Sequence, residues 1–398
     1  MSQANRIAFV CPRFDEQGTV GGAENLLREL ALRTSAGGRE VHFLTTCARN
    51  HFTWANEKPA GVREFEGMTV HQFRVDEDRD LERFLDIQDR ISHGGEVSDE
   101  EEQAWLDNNV NSRDLVAHLL DTSYDRVVAG PYLFGLTWRA IQAHPGPAFL
   151  VPCLHDEPFA QLRIMQRLFR KVSGFLFNAE PERRLAFRLF DLSAAHTAVV
   201  GLGLDAVEAD PKLFSRRHGL QSPYVVYAGR REPLKGTPML ADYVDAFRRR
   251  TGRDIKLVFT GSGEIEAPAS LYPHIIDCGF APDTEKAEAM AGAVAFLHPS
   301  VNESLSIVIL EAWLVGTPCL VTAFSDVLRY QCEQSHGGLW FRNYPEFEAQ
   351  LSLLLDRPEI RDQLGQNGKQ FVKREYNWDA VEKRLLTALD GDMVCQGA

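Results

Sequence analysis

The stretch AVAFLHPSVNESLSIVILEAWLVGTPCLVT, residues 293–322, limits what this chain can fold into more than any other. It opens with an apolar run at 293–297, short enough for a buried strand. A polar loop follows from His298, and then 305–315, almost wholly apolar and long enough for a buried helix. Gly316 stands where a helix C-cap belongs, Pro318 prevents continuation, and 319–322 begins another apolar strand. A strand, a loop, a helix and a strand, with both strands buried, is the sequence form of a parallel α/β sheet. Ligands of such sheets sit at the carboxyl ends of the strands, which here means the loop at 299–306.

Glu311 lies in the middle of the apolar helix, where a carboxylate is costly to bury without a partner. At a rise of about 1.5 Å per residue it stands about 7–8 Å along the axis from Ser306. With a phosphate on the first-turn amides near 304–307, Glu311 reaches a ribose, and Glu303 reaches a group beyond the phosphate. A loop glutamate at the surface and a snorkelling helix glutamate are the plainer account of the same two residues. Other strand ends carry related features. Gly21-Gly22 opens a helix at 23–33 after a strand at 6–10, so a ligand can approach the backbone there. The loop lacks GxGxxG, so the nicotinamide fingerprint is absent; a plain tight turn is an equal reading. Arg230 and Lys235 follow a strand at 224–228, a placing that suits a diphosphate or an ordinary basic turn. Gly261 and Gly263 end a strand at 255–260, and His155 stands just past one at 149–152.

Glu303-x7-Glu311, with Pro299-Ser300 before it and Gly316-Thr317-Pro318 after it, resembles the signature of glycosyltransferase family 4, retaining nucleotide-sugar enzymes of the GT-B fold. The resemblance implies an α/β protein with two Rossmann-like parallel-sheet domains facing each other across a cleft. Residues 1–205 would form the acceptor side and 206–378 the nucleotide-sugar side, with a final helix at 379–392 crossing back to the first. It implies that Glu303 contacts the donor sugar and Glu311 the ribose hydroxyls. The amides of Ser304, Leu305, Ser306 and Ile307 would face sugar and diphosphate, and Arg230 and Lys235 would stabilise the leaving group. Gly21 and Gly22 would face the diphosphate, Gly261 and Gly263 would lie near the nucleotide, and the backbone at Phe280 would hold the base. His155 would stand at the donor–acceptor junction, oriented by Asp156 and Glu157. One departure from the family pattern is Leu305-Ser306 in place of Phe-Gly: Ser306 either crowds the phosphate or adds a hydroxyl to it. The implied activity is retaining transfer of a hexosyl group from an NDP-sugar to a hydroxyl of a glycan, glycolipid or small molecule. His155, Glu303, Arg230 and Lys235 would be the catalytic set, with no metal and no bound cofactor. Alternatives are an epimerase or phosphorylase on the same fold, or a non-catalytic nucleotide-sugar binder.

A net charge of -13 argues against a nucleic-acid partner. No apolar run is long enough for a membrane span. The opening MSQANRIAFV lacks a signal-peptide core, and the seven cysteines are scattered and never spaced as CxxC. Both features lead to the expectation of a cytoplasmic protein with reduced thiols. Asp76 and Asp78 form a DxD after a strand, the pattern of a metal-dependent A-type transferase, but the acidic run continues to Asp89, which favours an exposed acidic face. The long polar segment 76–111, broken at Gly94-Gly95, reads as an insertion that shapes an acceptor pocket. The basic amphipathic stretch that opens at Gln161 and closes at Val172 is a solvated face or a contact for an anionic acceptor at the inner membrane surface.

Overall fold

The computed structural model describes residues 5–16 and 21–391. The chain forms two compact units, one running to Leu202 and taken up again at Val381, the other Gly203–Ala380. The last helix, Trp378–Asp390, therefore starts in the second unit and belongs to the first from Val381 onward.

In the first unit the strands are β1 (Arg6–Val10), β2 (Glu40–Thr46), β3 (Gly61–Phe65), β4 (Met68–Phe73), β5 (Arg126–Ala129), β6 (Ala148–Leu150), β7 (Gly174–Phe177) and β8 (His196–Val199). They lie in the order β3-β4-β2-β1-β5-β6-β7-β8, parallel throughout except for β3. β1, β5, β6 and β7 are almost wholly buried, as expected for parallel strands covered on both faces by helices. β3 was not foreseen from sequence: it is exposed, and it is joined to β4 by a turn in which Glu66 and Gly67 both have positive φ. The insertion folds as helices Leu81–Ser92 and Asp99–Asp107, the second started by a capping box of Ser98 and Glu101, and Trp105 and Leu106 tie it to the core.

The first sheet also buries a polar row. His42 Nδ1 on β2 lies 2.9 Å from His71 Nε2 on β4, and its Nε2 lies 3.0 Å from Glu40. Tyr124 Oη lies 2.8 Å from His118 Nε2 and 3.3 Å from His42 Nδ1. Burial, with the neighbouring imidazoles of His118 and His42, depresses His71 to about 4.

In the second unit the strands are β9 (Tyr224–Ala228), β10 (Lys256–Thr260), β11 (Ile275–Asp277), β12 (Phe296–His298), β13 (Cys319–Thr322) and β14 (Gly338–Phe341), all parallel. Their order, β11-β10-β9-β12-β13-β14, is that of a doubly wound nucleotide-binding sheet, and it reverses between β9 and β12. Ligands of such sheets bind outside the strand ends at this reversal. The apolar helix read from sequence is Ile307–Leu314, with Ser304 to Ser306 left in the loop before it. Gly365 and Gly368 let the Pro358–Glu375 helix approach it closely: a Cβ at Gly365 would stand 1.9 Å from the Gly316 carbonyl, and one at Gly368 would stand 2.2 Å from Trp313. Ser325 is the last residue of the loop after β13. Its side chain accepts from Leu328 N and starts a helix, Asp326–Ser335. A short helix, Leu213–Arg217, precedes β9.

Candidate active site

The second unit brings together, at its reversal point, residues far apart in sequence. Lys235 comes from the loop after β9 and Glu303 from the loop after β12. Lys235 Nζ donates to Glu303 Oε1 at 2.8 Å and to Ser300 Oγ at 3.4 Å. His298, the last residue of β12, places Nε2 3.4 Å from the same carboxylate oxygen. Burial alone would raise Glu303, but His298 and then Lys235 outweigh it and hold the carboxyl well below its usual range. The cluster thus presents a buried glutamate that stays ionised at neutral pH. His298 was not singled out from sequence, where it is only the polar end of an apolar run.

Glu311 sits one turn into the Ile307–Leu314 helix, and its Oε1 accepts from Lys286 Nζ at 2.9 Å. Burial raises Glu311, and Lys286 offsets part of that rise. Its other oxygen, Oε2, is buried without a hydrogen-bond partner, as are the hydroxyls of Ser306 and Thr260. Orphaned buried polar atoms are uncommon, and in a site they are the atoms a polar ligand would satisfy. Glu311 is therefore a partly buried glutamate, ion-paired through one oxygen and unpartnered at the other.

Arg230 does not join Lys235. Its guanidinium is largely exposed and lies 3.7 Å from Glu232. The neighbouring Arg231 is the buried member of this loop, bonded to the Gly263 carbonyl at 2.8 Å and to Asp277 at 2.7 Å. Gly261 and Gly263 have a structural duty here: a Cβ on them would stand 2.1 Å from the Gly229 carbonyl and 2.3 Å from that of Arg231. The glycines thus let the loops after β9 and β10 touch, a close approach of backbone to backbone. Phe280 is 76% exposed after β11, next to Gly279 in the left-handed region.

In the first unit, Gly21 caps the Gly22–Ala36 helix with φ 156, and a Cβ there would meet the buried Glu24 carboxylate, itself paired with Arg13. Residues 17–20 of the preceding loop lie outside the described residues. His155 is partly exposed, with Nδ1 3.8 Å from Glu157, whose Oε1 accepts from Tyr132 at 2.7 Å. Asp156 instead pairs with Arg188 at 2.6 Å. The loop of His155 is tied down by Glu182, a buried carboxylate that accepts from Leu154 N at 2.7 Å and Asn178 N at 2.5 Å, and that burial pushes up to about 8. A groove of ≈ 830 Å³ opens nearby, between Gly94-Gly95 of the insertion and the segment from Asp156 to Arg163. Glu96, Glu102, Asp156 and Glu157 outnumber Arg163 among its charged residues.

Asp76 and Asp78 are both engaged by Arg113, at 3.3 and 2.6 Å. The DxD is thus an ion-paired edge of the insertion. The cations of the Arg163–Lys171 helix are also partly answered: Arg163 pairs with Asp99 at 2.6 Å and Arg167 approaches it at 3.9 Å. None of the six described cysteines forms a disulfide, and Cys395 lies outside the described residues. No helix among the described residues is long and apolar enough to cross a membrane.

Two doubly wound sheets, one with a cation–glutamate cluster at its reversal point, define the GT-B class of fold. Solved structures agree. Sucrose-phosphate synthase from Thermosynechococcus elongatus superposes with a TM-score of 0.71 at 15% identity, over 97% of this chain and 98% of its own. HepE of Anabaena, solved in complex with UDP and glucose, gives 0.67 at 16% identity, over 96% and 99%. In sequence, residues 210–371 match the family model described as Glycosyl transferases group 1. The MMP alpha-(1->4)-mannosyltransferase of Mycolicibacterium hassiacum is 28% identical over 242 residues, covering 58% of this chain and 56% of that protein. The D-inositol 3-phosphate glycosyltransferase of Corynebacterium glutamicum is 26% identical over 254 residues, covering 58% and 60%. The matches span about three-fifths of the length of these curated relatives.

Proposed function

We propose that the chain is a retaining glycosyltransferase that moves a hexosyl group from a nucleoside diphosphate sugar to a hydroxyl acceptor, without a metal ion. The observation that carries this reading is the buried Lys235–Glu303–His298 cluster at the reversal between β9 and β12, beside the start of the Ile307–Leu314 helix. The group 1 match over 210–371 and the transferases among the relatives support it.

In this reading Glu303, ionised, accepts hydrogen bonds from donor-sugar hydroxyls. Lys235 is shared between that carboxylate and the diphosphate, and neutralises charge as the leaving group departs. Arg230, exposed in the free protein, adds a second cation. Glu311 offers its orphaned Oε2 to the ribose hydroxyls. The leaving phosphate takes the acceptor proton on the face from which it departs, so the configuration is retained and no side chain becomes covalently attached. His155 serves the acceptor side, held by the Glu182-anchored loop. The acidic groove beside it suits an uncharged, hydroxyl-rich acceptor better than a phosphorylated one.

A thermal-shift screen against UDP, GDP, ADP and their sugar conjugates, with and without EDTA, tests the donor half. A site saturated at ~100-fold excess over Kd gains about 2.7 kcal/mol. One nucleotide standing out, indifferent to EDTA and lost in Glu311→Ala, is the expected result. No response to any nucleotide would remove the donor assignment, and a response abolished by EDTA would remove the metal-free mechanism.

A further inference from the structure

Away from the cluster around Glu303, the second unit gathers three side chains of different chemistry from three separate elements. His218 follows the Leu213–Arg217 helix, Cys278 follows β11, and Glu285 lies in the first turn of the Asp283–Ala291 helix. A ring nitrogen of His218, the Cys278 Sγ and a carboxylate oxygen of Glu285 all lie within 4.8 Å of one another. His218 Nε2 stands 3.3 Å from Glu285 Oε1.

Each donor is held from behind. The His218 ring lies against the fully buried Phe214, with ring centroids 4.3 Å apart. The backbone around Cys278 is fixed on both sides: its N–H donates to the Phe259 carbonyl at 2.9 Å, and the Gly279 carbonyl accepts from Gly261 N at 2.6 Å. The His218 and Glu285 side chains are 27% and 25% exposed, so an ion reaches them from solvent without opening the fold. One cation competes: Arg217 stands 3.5 Å from Glu285 and 3.0 Å from Glu288. Glu288 gives that guanidinium a second carboxylate to rest on when Glu285 turns to a metal.

Magnesium and calcium favour oxygen ligands alone, whereas an imidazole, a thiolate and a carboxylate together suit a borderline-soft divalent ion, zinc first. Ligand atoms of a tetrahedral zinc site stand about 3.3–3.6 Å apart, so these three need to draw together by about 1 Å.

We propose that His218, Cys278 and Glu285 form a zinc site, with water as the fourth ligand. The Cys278 thiol gives its proton to solvent as the sulfur–metal bond forms. The site takes no part in the transfer chemistry, since none of its ligands belongs to the Lys235–Glu303–His298 cluster. Its effect is mechanical. The ion ties the segment before β9 to the loop after β11 and to the helix whose Lys286, next to Glu285, donates to Glu311. Occupancy thus braces the helix that carries Lys286.

The full-length protein, stripped with EDTA, dialysed free of it and kept reduced with a phosphine, is titrated with zinc chloride by calorimetry and with cobalt chloride by absorption. Zinc is expected to bind at about one ion per chain. Cobalt should give a thiolate-to-metal charge-transfer band in the near ultraviolet. Cys278→Ser should abolish that band, and His218→Gln should weaken zinc binding about a hundredfold, the loss of one ligand from a small set. Cys153→Ser, at the other partly exposed cysteine among the described residues, should change neither. Zinc should slow hydrogen exchange along Asp283–Ala291 in the wild type and not in Cys278→Ser. If the stripped wild type takes up no zinc, or if Cys278→Ser and His218→Gln bind the metals as the wild type does, the inference fails. Zinc that binds without slowing that exchange would overturn the bracing. The nucleotide-sugar reading is tested separately, by the nucleotide screen.

Discussion

Lowering the pH from about 7.5 to about 5 should weaken the first unit through His71. An imidazole in the unfolded chain titrates at 6.5, whereas in the folded sheet burial and the imidazoles of His118 and His42 depress His71 to about 4. Between those values the unfolded chain holds the additional proton, so stability is full above 6.5 and is lost as the pH falls toward 4. For one such group the loss is about 2 kcal/mol at about pH 5 and at most about 3.4 kcal/mol in full. His118, also depressed, by burial first and then by His42, acts in the same direction. Glu40, held low by His42 and Arg6, adds its loss only below the ordinary carboxylate range. Native-state hydrogen exchange of the β2 and β4 amides, corrected for intrinsic rates, reports this unit by itself. His71→Gln keeps a polar group opposite His42 Nδ1 but cannot take the proton, so it should flatten the pH dependence by about 2 kcal/mol at about pH 5. An equal slope in wild type and variant would show that His71 does not carry the buried proton deficit, and the reasoning would be wrong.

Lys235→Met leaves Glu303 facing His298 without its shortest cation contact, and should cost nucleoside diphosphate affinity tenfold or more, read by calorimetry. Gly365→Ala drives a methyl against the Gly316 carbonyl and should destabilise the second unit by about 1–3 kcal/mol in urea titration, with Pro358–Glu375 losing exchange protection first. Glu102→Ala removes the buried carboxylate that accepts from Arg163 N at 3.1 Å and Ile164 N at 2.7 Å; about 1–3 kcal/mol should be lost, with the Arg163–Lys171 helix fraying in exchange experiments. Transfer assays with matched neutral and phosphorylated sugar acceptors should favour the neutral one, and Glu96→Lys with Glu157→Gln should narrow that preference.

The elements easiest to find in the sequence were those whose pattern is local. The strand–loop–helix–strand at 293–322 announces itself because apolar runs of different lengths meet at a glycine and a proline. Glu311 stood out for a similar reason, as a carboxylate set against an apolar background, and Glu303, in the polar loop, through its spacing from Glu311. What sequence could not supply was the identity of their partners. Lys286 reaches Glu311 from another helix, and His298 reaches Glu303 only because the intervening loop folds back. The glycines at 261 and 263 were read as a loop near the nucleotide, and the structure adds that they make room for the backbone at 229–231. Short strands such as β7 and β14 escaped because four residues carry too little periodicity to separate a strand from a buried loop. The left-handed backbone of Ser306 is visible only in coordinates, since nothing in a serine's identity announces positive φ.

The chain crosses between its two units twice, near 202 and again near 380, and this bears on how the molecule is made. Helix Trp378–Asp390 supplies Val381, Leu385 and Leu389 to the first unit, bonds the Val200 carbonyl through Arg384 at 3.1 Å, and pairs Asp390 with Arg39. A ribosome releasing the protein from its amino end therefore delivers every strand of the first sheet long before the helix that covers part of its surface. The second unit, contiguous from Gly203 to Ala380, can close as soon as it emerges. The first must wait with an apolar seam open until residues 381–390 have followed the whole of the second unit. A chain truncated after Ala380 would hold the full span of the second unit, and its first unit, lacking the covering helix, would be the natural target of a chaperone.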